Sequence, residues 1–317
     1  MREHRLALAT ALATFVLLIV GSLVHGTGSS LACPDWPLCY GTLFPKMDNG
    51  VEFEHTHRLV AAAVGFMTVA LAGMLLFRKR RGVRLLGIAA ALLVVFQGVL
   101  GGITVLYKLP RAISIAHLAT SMCFFSLTIV IALRTAPSLP EVPPGVARHR
   151  RAIALAWGVV LAQIVLGGLV RHTASGLACL DVPLCRGSVW PSLPPEQVQM
   201  IHRFGAVVAA AVAIVVALRV RRGAAQPWLR ALSLVPVGLV LLQIGVGVAS
   251  VLSLLNLTII TAHLGVGAAL LGSFVVLWGL CPTEARSWQR PRTRSPAGDF
   301  PGSSTSTDAP RDAVATP

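Results

Sequence analysis

Eight apolar stretches lie near residues 6–25, 57–77, 84–106, 112–133, 151–171, 202–219, 228–251 and 258–280, and few charges fall inside them. Each is long enough to cross a hydrocarbon core of roughly 30 Å as a helix. A bilayer offers no water to an unpaired peptide group, so a chain with eight such stretches is restricted to a bundle of membrane-spanning helices. The expected fold is all-α and integral to a membrane. Glycines recur inside the stretches (Gly98, Gly101, Gly102, Gly167, Gly168, Gly245 and Gly247), where small side chains let helices approach closely.

The eight stretches are four and four again. Leu31-Ala-Cys-Pro-Asp-Trp-Pro-Leu-Cys-Tyr-Gly41 returns 146 residues later as Leu177-Ala-Cys-Leu-Asp-Val-Pro-Leu-Cys-Arg-Gly187, with eight identities in eleven. Gln97 maps to Gln243 and His117 to His263 at the same offset, and His57-Arg58 maps to His202-Arg203 at 145. The period is far too long for a solenoid. It describes a duplicated half-protein, so the expected architecture is two pseudo-symmetric four-helix bundles of parallel topology. The halves read as 1–134 and 151–281, joined by a linker at 135–150 that carries Pro137, Pro140, Pro143 and Pro144. Residues 282–317, rich in Pro, Ser, Thr and Arg, read as a disordered cytoplasmic tail.

A net charge of +15 invites a nucleic-acid reading, but its distribution excludes one. Twenty of the 27 Lys and Arg fall at the N-terminus, at 78–84, 134–151 and 218–230, and in the tail. The positive-inside rule places that side in the cytoplasm, with both termini, and the natural location is a bacterial cell membrane. The basic balance answers to orientation and to the lipid bilayer, not to nucleic acid. The first 25 residues resemble a signal peptide, but Ser30-Leu-Ala-Cys33 recurs as Gly176-Leu-Ala-Cys179, far from any N-terminus.

The loops expected outside hold Cys33 and Cys39, and Cys179 and Cys185, each pair as C-x5-C. An oxidising compartment makes each a short disulfide, and the spacing matches no common zinc pattern. Two readings stay open: structural staples for the loops, or a redox-active dithiol that passes electrons. Cys123 and Cys281 read as apolar packing.

Four histidines fall at matching depth in the spans: His57 and His202 at the start of the second span of each half, His117 and His263 in the fourth. Ionisable groups in a membrane span are costly and mark function. Facing imidazoles on two helices of a bundle supply both axial ligands of a heme iron. A dinuclear metal site would need more carboxylates than these spans offer. Arg58 and Arg203 follow directly and either pair with a heme propionate or snorkel to the interface. His25, His55 and His172 lie in or beside the loops, have no histidine partner in the repeat, and read as solvated. Gln97, Gln163 and Gln243 read as interhelical hydrogen bonders.

One carboxylate breaks the symmetry. Glu54 stands three residues before His57, sharing a helix face with it, while the second half has Gln199 in its place. Heme ligation alone would treat the halves alike. A carboxylate in one half points to acid–base chemistry or cation stabilisation there; the alternative is a helix-start charge on the N-terminal dipole. Glu52 is less well placed on that face.

With Glu54-His-Thr-His57-Arg58, Ile201-His202-Arg203, Ala116-His117-Leu118 and Ala262-His263-Leu264 in this order on eight spans, the chain resembles the heme A synthase family over residues 1–281. The paired loop cysteines match the bacterial branch that keeps them. The resemblance implies a membrane oxidoreductase that converts heme O to heme A by successive hydroxylations of the C8 methyl to a formyl group, for cytochrome oxidase assembly. It implies heme O as substrate between His57 and His117 with Arg58 beside it, a heme B cofactor on His202 and His263 with Arg203, and Glu54 as the essential carboxylate. Cys33–Cys39 then handles reducing equivalents and Cys179–Cys185 is structural. A heme O synthase and an electron donor or acceptor are the partners implied. Two other classes use the same features: a diheme b-type cytochrome that only transfers electrons, which gives Glu54 no special task, and a transporter built on parallel repeats.

Overall fold

The computed structural model describes residues 1–281, which form one compact unit. The tail expected to be disordered lies outside the described residues. The eight expected spans are present as α1 (Arg2–Gly26), α2 (Val51–Leu76), α3 (Arg81–Leu106), α4 (Arg111–Thr135), α6 (Arg150–His172), α7 (Pro194–Gly223), the pair α8 (Pro227–Leu232) and α9 (Val235–Leu252), and α10 (Leu257–Leu280). A single turn, α5 (Pro144–Ala147), lies in the proline-rich linker.

Two differences from the hydropathy reading matter. Helices α2 and α7 begin six and eight residues before the apolar runs at 57 and 202. Their first turns are polar, with Glu52 and Glu54 in α2 and Glu196 in α7, so hydropathy misses them although the backbone hydrogen bonds continue. Glu54, His55 and Gln199 are therefore helical rather than loop residues. The seventh span is broken at Ser233–Leu234, two residues before Pro236, whose ring nitrogen donates no hydrogen bond.

Within the first half the helices pack in a cycle, α1 on α2, α2 on α3, α3 on α4 and α4 on α1; the second half repeats it with α6, α7, α9 and α10. Between halves, α1 packs on α10, α6 on α4, and α4 on α10. The first two contacts exchange when the halves are exchanged, as a pseudo-twofold relation requires. The main core lies across this seam, uniting Leu18, Met122 and Phe125 with Ile153, Phe274 and Leu277. Half of the α10 span is buried, against 17% for α3 and for the α8–α9 span. The latter two are the lipid-facing walls; α10 is the central post.

Two candidate heme sites under disulfide caps

The packing cycle decides what the histidines can do. His57 is on α2 and His117 on α4, which stand opposite each other across the first bundle; His202 on α7 and His263 on α10 do the same in the second. Each histidine lies against a glycine of the neighbouring helix. An added Cβ would stand 3.1 Å from His57 Cε1 at Gly21, 3.7 Å from His117 Cε1 at Gly101, 3.1 Å from His202 Cε1 at Gly167 and 3.0 Å from His263 Cε1 at Gly247. These glycines are themselves repeat partners, 21 with 167 and 101 with 247. Four imidazoles, in two facing pairs, and four glycine notches fit a flat iron porphyrin held from both faces in each half.

The glutamines do more than join helices. Gln163 Nε2 lies 2.9 Å from His202 Nδ1 and donates to the His202 carbonyl at 2.8 Å. Gln243 Nε2 meets a ring nitrogen of His263 at 3.3 Å. With its amide oriented to satisfy its neighbours, Gln97 donates to His117 Nδ1 at 3.1 Å.

Above each site sits a disulfide loop. Cys33–Cys39 and Cys179–Cys185 are both bonded, each with Cα atoms 4.9 Å apart. Asp35 closes the first ring by accepting the Tyr40 and Gly41 amides, both at 2.7 Å; the Gly41 amide first, and then that of Tyr40, holds its carboxyl below the usual aspartate range. Asp181 accepts the Arg186 amide in the same way at 3.0 Å. Gly41 and Gly187 take φ of +70° and +75°, where a side chain is strained.

The arginines hold these loops. Arg58 Nη1 donates to the Asp35 carbonyl at 2.7 Å and to that of Leu38, and Nη2 donates to Cys33 O and to Glu54 Oε1. Arg203 clasps Asp181, Leu184 and Cys179 carbonyls at 2.6–2.8 Å. Their terminal nitrogens thus face loop backbone, a third arrangement beside propionate pairing and snorkelling.

Glu54 is buried and bridges the loop and the heme helix. Oε2 accepts the Cys33 amide at 2.8 Å and Oε1 pairs with Arg58 at 2.5 Å. Gln199 does the same capping with an amide: Oε1 accepts the Cys179 amide at 2.5 Å and Nε2 donates to Gly176 O at 3.0 Å. Capping therefore needs no charge.

The solvated reading of three histidines is corrected. His55 is 5% exposed, donates through Nε2 to Leu43 O at 3.1 Å, and lies with a ring nitrogen within 4.8 Å of both Cys33 and Cys39 sulfurs. Its repeat partner, Met200, packs against the second disulfide. His25 and His172 stack at the ends of α1 and α6 with ring centroids 4.8 Å apart. The polar first turn of α2 carries His55 into packing, and His25 and His172 meet at the C-terminal ends of α1 and α6. Trp36 is a further contact residue: its indole fills the space over Gly102, where a Cβ would come within 2.8 Å. The repeat holds the signal, since Trp36 and Gly102 become Val182 and Val248 together.

This geometry can be set beside known proteins. The family of cytochrome oxidase assembly proteins designated COX15-CtaA matches residues 4–275. The chain belongs to that family. Relatives include the heme A synthase of Shewanella oneidensis, 29% identical over 305 residues covering 83% of this chain and 91% of that protein. That of Bacillus licheniformis is 30% identical, covering 81% and 89%. That of Symbiobacterium thermophilum is 30% identical, covering 87% and 93%.

Proposed function

We propose that the chain is a heme A synthase: a membrane oxidoreductase that takes heme O at the first site and oxidises its C8 methyl to a formyl group by successive hydroxylations. The observation that carries this reading is the unequal pair Glu54 and Gln199. Both cap a cysteine amide at the same point above a histidine pair. Only one is a carboxylate, so its charge, paired with Arg58, is not what the cap requires. Glu54 is also the group that connects the first disulfide, through the Cys33 amide, to the helix of His57, three residues on.

In this reading His57 and His117 bind heme O, and His202 and His263 hold heme B. Held by His202 and His263, heme B would supply the redox chemistry for an oxidation at a methyl group that has no acidic proton. Glu54 acts as the acid, base or cation stabiliser of the first half. Arg58 orients Glu54 and fixes the loop above the substrate, and Arg203 fixes the loop above the cofactor. The apolar spans accommodate the isoprenoid tail of heme O at little cost. Cys33–Cys39, with His55 against it, is the pair suited to handling reducing equivalents, and Cys179–Cys185, with Met200 against it, is a staple. The cell membrane, with both termini in the cytoplasm, is the location, and a heme O synthase and an electron donor or acceptor are the partners.

The test is pigment extraction and chromatography from membranes of cells co-expressing the chain and a heme O source. Heme A with bound heme B is expected from the native chain, and heme B with unconverted heme O from Glu54→Gln. Heme B alone from the native chain, given a competent electron supply, would instead identify a diheme cytochrome that only moves electrons.

A further inference from the structure

Three of the four site histidines have a glutamine on a ring nitrogen: His117 has Gln97, His202 has Gln163 and His263 has Gln243. His57 has none. Its Nδ1 is buried without a hydrogen-bond partner, as is that of His263, where Gln243 meets Nε2 instead; the contrast between the halves therefore lies at His57 and His202. The repeat shows how this difference is built. The position of Gln163 on α6 corresponds to Leu17 on α1, and Gly205 on α7 corresponds to Val60 on α2. Gly205 is a glycine for a reason: a Cβ there would run into Gln163 Oε1 and approach Leu166 Cδ1 to 3.2 Å. The second half therefore has a polar clamp and the notch that admits it. The first half has an apolar pair at both positions, and one exchange without the other would either crowd the glutamine or leave a gap.

A histidine that ligates a metal ordinarily bonds its second ring nitrogen to a neighbour, which fixes ring orientation and raises basicity; losing that partner typically weakens the site about 10- to 100-fold. The Gln163 amide carries both a donor and an acceptor, so it meets Nδ1 in either tautomer. As oriented, Nε2 also donates to the His202 carbonyl on the same turn of α7, and Oε1, buried and otherwise unpartnered, is the acceptor a turn of the amide brings to Nδ1–H when Nε2 of His202 is a ligand.

We propose that Gln163 with Gly205 makes the second site a retaining one, and that Leu17 with Val60 leaves His57 as a releasable ligand. Gln163 is a positioning residue; it acts through His202. A substrate porphyrin must leave as product on every turnover, whereas a cofactor must stay, and this pair of positions separates the two behaviours on otherwise duplicated sites. The proposal rests on the reading of two heme sites with the substrate in the first half.

The experiment uses the full chain purified in detergent with its hemes and challenged with excess apomyoglobin, following heme transfer by absorbance. Two phases are expected, with the slow one abolished in His263→Ala. Gln163→Leu speeds the slow phase at least about 10-fold and shifts the reduction potential of the retained heme. Gln163→Glu keeps an acceptor for Nδ1, preserves the slow phase and lowers the potential, because the added negative charge favours the ferric state. Leu17→Gln combined with Val60→Gly slows the fast phase. An unchanged slow phase and potential in a Gln163→Leu protein that still carries both hemes would overturn the proposal. Should Gln163→Leu fail to assemble, an unchanged fast phase in the Leu17→Gln, Val60→Gly protein would overturn it as well. Loss of the slow phase in His117→Ala rather than in His263→Ala would instead overturn the division of the halves, and the proposal with it.

Discussion

Glu54 holds two functions that its repeat partner keeps apart. As a hydrogen-bond acceptor it caps the Cys33 amide, a task Gln199 performs in the other half; as a charge it pairs with Arg58. Glu54→Gln is therefore expected to fold with an intact first loop yet lose heme A formation by two orders of magnitude or more, on the order of a missing acid–base group. Glu54→Ala also strips the buried amide of its acceptor, which costs about 1–3 kcal/mol. Thermal unfolding followed by circular dichroism should rank Ala below Gln, and equal midpoints would remove the capping argument. The glycine notches permit a second test at the same scale. Gly21→Val and Gly167→Val each push a branched side chain toward an imidazole already 3.1 Å from a Cβ. Each should deplete heme from its own half only, read from the stoichiometry and spectrum of the purified protein.

Among the elements, the two loop caps are built alike and loaded differently. Asp35 and Asp181 close the rings, Arg58 and Arg203 clasp the carbonyls, and Gly41 and Gly187 make the turns. Lysine carries one compact ammonium in place of a fork of donors, so Arg58→Lys should loosen the first loop and quicken reduction of Cys33–Cys39 by a phosphine. The Asp35 carboxyl is held below its ordinary range by the Gly41 and Tyr40 amides. A depressed carboxyl stabilises the folded loop fully above the ordinary aspartate value of about 3.9 and loses that contribution as pH falls through the depressed value. Phosphine reduction of Cys33–Cys39 should then be flat from neutrality to about pH 5 and accelerate in stronger acid, with Asp35→Asn fast at every pH. An acid acceleration that persists in Asp35→Asn would assign the effect elsewhere.

For the whole molecule, the pseudo-twofold seam turns two bundles into one body. Helices α4 and α10 meet at its centre, and each carries one heme-site histidine, so the two candidate hemes share a wall. In the proposed reading that wall stands between the substrate site and the cofactor site. Parallel repeats also fix a topology. A reporter active only outside the cytoplasm should work when fused after Gly187 and fail when fused after Gly223, and the reverse pattern would invert the orientation drawn from the basic loops.

Hydropathy was enough to reach eight spans, the repeat and the four histidines gave a duplicated order, and the motifs around those histidines carried the resemblance to the family, because span length, residue type and order are one-dimensional properties. The Glu54–Gln199 contrast was equally readable, since it needs only alignment of the halves. What the line of residues left open was every outcome set by packing. His55 looked like a loop residue because polar turns of α2 hide from a hydropathy window, and only the fold carries it onto a disulfide. Arg58 and Arg203 had two readings because a guanidinium's partners lie some twenty residues away in sequence, across a loop closure. Gln163 read as one more interhelical amide until its distance to His202, and the glycine that admits it, distinguished it from Leu17. Composition and order determined which groups the chain possesses and at what depth; the folded backbone alone decided which of them touch, because hydrogen bonds and notches are short-range and chain separation does not predict them.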